Sequence, residues 1–163
     1  MPGSGSQVTP SHPDLARLAF LFGTWKGQGS GRYPTISPFE YLEESSFNPG
    51  PGKPFVTYRQ RTRRVGNGEP LHSETGYIRT TDPDRIELVI AQPIGIVEVH
   101  TGEIDGSRIR FRSESVGLSP TAIEVSRVER RIEVTGDTMR YQLGMAAVGQ
   151  PLQTHLEAEL IRL

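Results

Sequence analysis

Four histidines, His12, His72, His100 and His155, are the residues of this chain best able to hold a transition metal or a haem iron. No two of them stand at a helical metal spacing, and none belongs to an HExxH-type motif. A zinc site would have to converge from distant segments, whereas a haem needs a single proximal imidazole. His12 lies in the N-terminal stretch, and His100 adjoins Thr101-Gly102 at the end of a strand-like run. His155 sits in Gln153-Thr154-His155-Leu156-Glu157-Ala158-Glu159-Leu160-Ile161. Strict alternation groups it with Glu157 and Glu159, opposite Leu156, Ala158 and Leu160, which is the pattern of a solvated position. Periodicity alone selects none of the four.

Other chemistries are harder to build. The chain has no cysteine, which excludes disulfides, thiolate metal sites, covalently attached haem and cysteine nucleophiles. Gly27-Gln28-Gly29-Ser30-Gly31 is glycine-rich but opens no helix, so it is neither a P-loop nor a dinucleotide fingerprint. There is no GxSxG elbow and no credible triad. Arg59-Gln60-Arg61-Thr62-Arg63-Arg64 and Arg108-Ile109-Arg110-Phe111-Arg112 alternate as outward strand faces that pair with nearby Glu. Arg127-Val128-Glu129-Arg130-Arg131 reads the same way, with one arginine available to an anion. A net charge of −1, with 18 basic and 19 acidic residues, makes no electrostatic case for nucleic acid or an anionic membrane. No apolar run has the length of a membrane span, so a soluble cytoplasmic protein is the expectation.

Residues 1–10 are rich in Gly, Ser and Pro and read as a flexible tail rather than a signal peptide, leaving residues 11–163 as one domain. Ser11-His12-Pro13-Asp14 offers Ser11 or Asp14 as a cap and Pro13 for a first turn, predicting a helix over Leu15–Phe22 that ends at Gly23. The period then changes from 3.6 to 2. Strand-like runs lie near 24–33, 38–47, 54–65, 70–80, 85–92, 95–104, 107–116, 122–135, 137–147 and 152–162. Turn residues such as Asn48-Pro49-Gly50, Gly66-Asn67-Gly68 and Asp105-Gly106 separate them. Ten sequential strands with brief turns predict an all-β, antiparallel up-and-down barrel with the helix across one end, because closure removes exposed edges. A barrel of that size encloses a cavity.

The barrel is organised around Gly23-Thr24-Trp25-Lys26-Gly27-Gln28-Gly29, which holds the sole tryptophan. Gly23, Trp25, Gly27 and Gly29 share a face; either Trp25 plugs one end while the glycines relieve crowding, or the bare face admits a ligand.

This GxWxGxG stretch is similar to the signature of the nitrobindin family. So are Tyr33-Pro34-Thr35 with Pro38-Phe39 and Tyr41, His72 with Glu74 and Gly76-Tyr77-Ile78-Arg79, Ala91-Gln92 with Gly95, Val97 and Glu98, and Gln153-Thr154-His155-Leu156. The resemblance covers nearly all of the chain from Leu15 onwards. It implies a fatty-acid-binding-protein-like barrel holding one haem b, with His155 as the axial ligand of the iron. It further implies haem contacts by Thr35 and by Arg127, reversible nitric oxide binding, and isomerisation of peroxynitrite to nitrate at ferric haem. The implied partners are these small molecules, with no nucleic acid and no membrane, and room for a homodimer. A carrier barrel for fatty acids or similar apolar ligands is the alternative, since fold alone does not fix function.

Overall fold

The computed structural model describes residues 9–163. Ten antiparallel strands follow in order: β1 (Gly23–Tyr33), β2 (Ile36–Pro49), β3 (Phe55–Arg64), β4 (Pro70–Asp82), β5 (Arg85–Gln92), β6 (Ile96–Asp105), β7 (Arg108–Leu118), β8 (Val125–Thr135), β9 (Thr138–Ala147) and β10 (Gln153–Arg162). Each pairs with its neighbour in sequence, and β1 also pairs with β10, closing the barrel. The expected tail lies outside the described residues for positions 1–8. The next residues are tied down, since Gly52 N donates to Pro10 O at 3.2 Å and Ser11 bridges Pro51.

The helix is a 3-10 helix, Pro13–Leu21, not the α-type helix that a period of 3.6 would give. Its buried residues, Leu15, Leu18 and Leu21, recur every third position. With three residues per turn they stack on one face, which three residues of an α-helix at that spacing do not. The cap is His12, whose Nδ1 accepts from Asp14 N at 3.2 Å, rather than Ser11 or Asp14. Arg17 fastens the helix to the β4–β5 turn by donating to the carbonyls of Asp82, Pro83 and Arg85. The helix therefore seals the end of the barrel where β1 begins, and the other end stays open.

Trp25 completes that seal. It is fully buried, its Nε1 donates to Leu21 O at 2.8 Å, and the Arg162 guanidinium lies 4.2 Å from its ring centre. Gly23, with φ +115, makes the turn from helix to strand that an L side chain resists. The bare face of β1 is filled by protein. A Cβ at Gly29 would stand 2.3 Å from Tyr41 Cζ, and one at Gly31 2.2 Å from Phe39 Cζ. At Gly27 it would meet the Glu159 carbonyl of β10 at 2.0 Å. The glycines make room for neighbouring rings and backbone, so the crowding explanation holds. Inward residues such as Ile78, Ile86, Leu88, Ile90, Phe111 and Leu160 form the core above the plug.

Candidate functional site

From the open end a cavity of about 560 Å³ runs down to the core. Its upper walls are apolar, with Ile36 and Phe39 from β2, Ile94 and Ile96 near the β5–β6 turn, and Leu143 and Met145 from β9. His155 and Leu156 both line it, although they are consecutive in β10. The reason lies in the pairing with β9: Thr154 faces Gly144 and Leu156 faces Leu143, so His155 is an extra residue on the β10 side. A bulge of this kind breaks the two-residue alternation and re-aims one side chain. Alternation put His155 among the solvated positions; the bulge brings it to the rim of the cavity.

Its surroundings define its chemistry. Nδ1 lies 3.0 Å from the carbonyl oxygen of Arg32. A carbonyl only accepts, so Nδ1 carries the proton and Nε2 presents a lone pair with no protein partner among the described residues. The Tyr33 ring meets the imidazole edge-on at 5.3 Å and the Phe39 ring at 6.4 Å. Burial lowers the pKa of His155; the Arg32 carbonyl works against that shift and the charge of His72 adds to it. A neutral, oriented imidazole with a free Nε2 on an apolar cavity suits a haem iron, and the donor set fits the group that the motifs imply.

Thr35 lies exposed in the turn between β1 and β2, one residue before the cavity-lining Ile36. Arg127 stands near the open end of β8, on the outer face, where it donates to Glu129 Oε1 at 2.8 Å. Neither side chain lines the cavity as His155 does.

The floor is polar, and its chemistry escaped the sequence reading. Arg130, read there as one of a solvated run, points inward between Val128 and Ile132. It donates to both oxygens of Glu74, at 2.6 and 3.1 Å, and to Glu98 at 2.9 Å. His100 Nε2 lies 2.7 Å from Glu98, Tyr58 donates to Glu74 at 2.7 Å, and Gln92 donates to Glu98 at 2.7 Å. Burial, the largest single influence, would raise Glu74 and Glu98, but the Arg130 guanidinium together with the hydrogen bonds to His72 and His100 holds both below the usual carboxylate range. A second cluster surrounds Glu43, which accepts from Ser45, Gln60 and Tyr141, while Tyr141 meets the Tyr41 hydroxyl at 2.7 Å. Burial pushes Glu43 up. The one signal available in the sequence was Arg130 itself, a charge between Val128 and Ile132 on an otherwise apolar parity; Glu43, Glu74 and Glu98 have polar or glycine neighbours on their own faces, Ser45, His72, Gly76 and His100, and gave none.

The other arginine runs face outward as expected, except Arg64, which shares the inward parity of Tyr58, Gln60 and Thr62, lines the open end of the cavity and meets Glu69 at 3.3 Å. Arg61 meets Glu44 at 2.7 Å, and Arg108 meets Glu133 at 3.1 Å.

A closed barrel with one sealed end, an apolar mouth and an imidazole free at its rim defines a small-molecule-binding barrel equipped to ligate a haem. The chain belongs to the family of the THAP4-like, heme-binding beta-barrel domain, whose model it matches over residues 14–162. Among curated relatives, a protein of Mycobacterium avium (strain 104) called peroxynitrite isomerase 2 is 52% identical over 158 residues, covering 94% of this chain and 98% of that one. The peroxynitrite isomerase of Nocardia farcinica (strain IFM 10152) is 51% identical over 155 residues, covering 93% and 92%. The solved structure of Rv2717c from M. tuberculosis superposes with a TM-score of 0.88 at 49% identity, covering 94% of this chain and 99% of that one. An S-type phycobiliprotein lyase from Guillardia theta, 12% identical with a TM-score of 0.61 over 89% of each chain, shares the fold alone.

Proposed function

We propose that this chain binds one haem b through His155, binds nitric oxide reversibly, and isomerises peroxynitrite to nitrate. The observation that carries the reading is the imidazole of His155, displaced inward by a bulge, fixed through Nδ1 by Arg32 and free at Nε2. The names of relatives at about half identity support the same reaction. A ferric haem held there supplies the Lewis acid and the temporary oxygen acceptor that rearrangement of peroxynitrite to nitrate needs.

The residues of the chain do the rest. Burial keeps His155 neutral, and its bond to Arg32 orients the ring and raises its basicity as a ligand. Ile36, Phe39, Ile94, Ile96, Leu143 and Met145 give the mouth apolar walls that offer no side-chain hydrogen-bond donor. On the floor Glu74 and Glu98 both bind Arg130, so its guanidinium is engaged by carboxylates and is not free to draw an anion deeper. We assign Thr35 and Arg127 to the periphery of the haem. Arg127 reaches a propionate only by leaving Glu129.

A fatty-acid carrier of this fold would need an interior cation free for the carboxylate. Arg130 is already held by two glutamates, and Arg64, at the open end, by Glu69. The test is to reconstitute His155→Ala and His72→Ala with ferric haem. His155→Ala should lose the five-coordinate histidine spectrum and the nitrate yield, while His72→Ala keeps both. A normal Soret band and full yield in His155→Ala would overturn the proposal.

A further inference from the structure

The five tyrosines are Tyr33, Tyr41, Tyr58, Tyr77 and Tyr141. Three of them, Tyr41, Tyr58 and Tyr141, line the cavity, while Tyr77 is half exposed on the outside. The inner three differ in what their hydroxyls touch. Tyr58 donates to Glu74, a carboxylate already gripped by Arg130, approached by His72 and held below its usual range. Tyr141 donates at 2.5 Å to Glu43 Oε2, and the other donors to that carboxylate, Ser45 and Gln60, are uncharged. Tyr41 extends the chain, its hydroxyl 2.7 Å from that of Tyr141.

We propose that Tyr141, backed by Tyr41 and seated on the Glu43 carboxylate, is the internal one-electron donor of the cavity and its first site of nitration by nitrogen dioxide. A phenol gives up an electron readily only if its proton leaves with it, because the protonated radical cation is a strong acid. The proton needs an acceptor already in place, and the strength of that base decides which tyrosine reacts. Glu43 is the stronger base, since burial raises it while no cation engages it among the described residues; Glu74 is the weaker, held down by Arg130. Tyr141 is therefore favoured over Tyr58 although both face the same space.

The oxidant is the neutral radical released when the O–O bond of peroxynitrous acid breaks homolytically. Its lack of charge lets it pass the carboxylates of the floor, which an anion does not do cheaply. One nitrogen dioxide takes an electron from the phenol and becomes nitrite, while the phenolic proton moves to Glu43. A second nitrogen dioxide bonds to the ring carbon beside the hydroxyl-bearing carbon, and that carbon loses its hydrogen as a proton, giving 3-nitrotyrosine. The inference rests on the proposed function only for peroxynitrite as the source of the radical.

The experiment exposes the haem-reconstituted protein in one arm to peroxynitrite and in the other to nitrogen dioxide made radiolytically from nitrite. Peptide mass spectrometry then locates the nitro groups. Tyr141 should be modified ahead of both Tyr58 and the exposed Tyr77 in the nitrogen dioxide arm. Glu43→Gln should cut modification of Tyr141 several-fold and leave Tyr77 unchanged. In Tyr141→Phe, which keeps the ring, total nitration of the interior should fall several-fold. Nitration of Tyr77 ahead of Tyr141, or a Tyr141 indifferent to Glu43→Gln, would overturn the inference, as would undiminished transfer to Tyr58 in Tyr141→Phe. Nitrate yield in the peroxynitrite arm reads the proposed function separately. Its absence alongside nitrated Tyr141 in the other arm removes that reading and leaves this one standing.

Discussion

His155 and Arg32 are 123 residues apart, yet the imidazole Nδ1 of one lies 3.0 Å from the carbonyl oxygen of the other. Pairing of β1 with β10 ends at Gly31 and Leu156, so the bond lies just past the last regular rung. It fastens the extra residue of β10 to the neighbouring strand where the regular ladder stops.

The burial of this imidazole sets a pH dependence that the Arg32 bond partly offsets. Burial moves the His155 pKa below its ordinary 6.5, so the folded protein keeps a neutral ring where an unfolded chain would already be charged. The stability due to the neutral ring is present above that ordinary value and is lost as pH falls through the lower folded value. Haem retention should follow the same course, since protonation competes with iron for the nitrogen. A Soret titration should show release with a midpoint below 6.5. Release centred above that value would contradict the assignment.

Trp25→Ala should destabilise the barrel by about 3–5 kcal/mol, measured by denaturant unfolding. The side chain is fully buried and its indole bond to Leu21 holds the helix against the plug. The cavity mouth lies at the other end, so the spectrum of the bound haem should change little in the folded fraction.

Gly29→Ala and Gly144→Ala make a matched pair. The first drives a methyl to 2.3 Å from the Tyr41 ring and 2.7 Å from the Glu157 carbonyl, while the second meets nothing closer than 3.6 Å. Gly29→Ala should cost about 1–3 kcal/mol by overpacking, and Gly144→Ala should be near neutral. Equal melting temperatures in the two variants would refute the steric account of the glycine face.

Arg130→Met should destabilise by about 3–5 kcal/mol, because it leaves Glu74 and Glu98 buried without their cation. Both carboxylates are held below their ordinary 4.5. Their contribution is therefore present above that value and is lost as pH falls through the depressed range. Wild type should lose stability on acidification through that window, and Arg130→Met should lose less. Parallel acid-unfolding curves for the two proteins would sink this account.

The barrel was legible in the sequence because its information is local. Alternation of apolar and polar residues assigns the strands, and Gly, Asn, Asp and Pro between them set short turns that allow only antiparallel neighbours. Leu15, Leu18 and Leu21 announced a buried helical face, although their three-residue spacing pointed to the 3-10 form that a period of 3.6 obscured. Trp25 among glycines likewise marked the plug. The candidate site was legible only through the family's motifs, since alternation argued against His155. A bulge is set by how β10 registers against β9, which depends on two strands at once and leaves no trace in the period of either. The same holds for Glu74 and Glu98, the partners of Arg130. Each reads singly as a surface charge, and only closure of the barrel brings β8, β4 and β6 near enough for one guanidinium to meet two carboxylates across the interior.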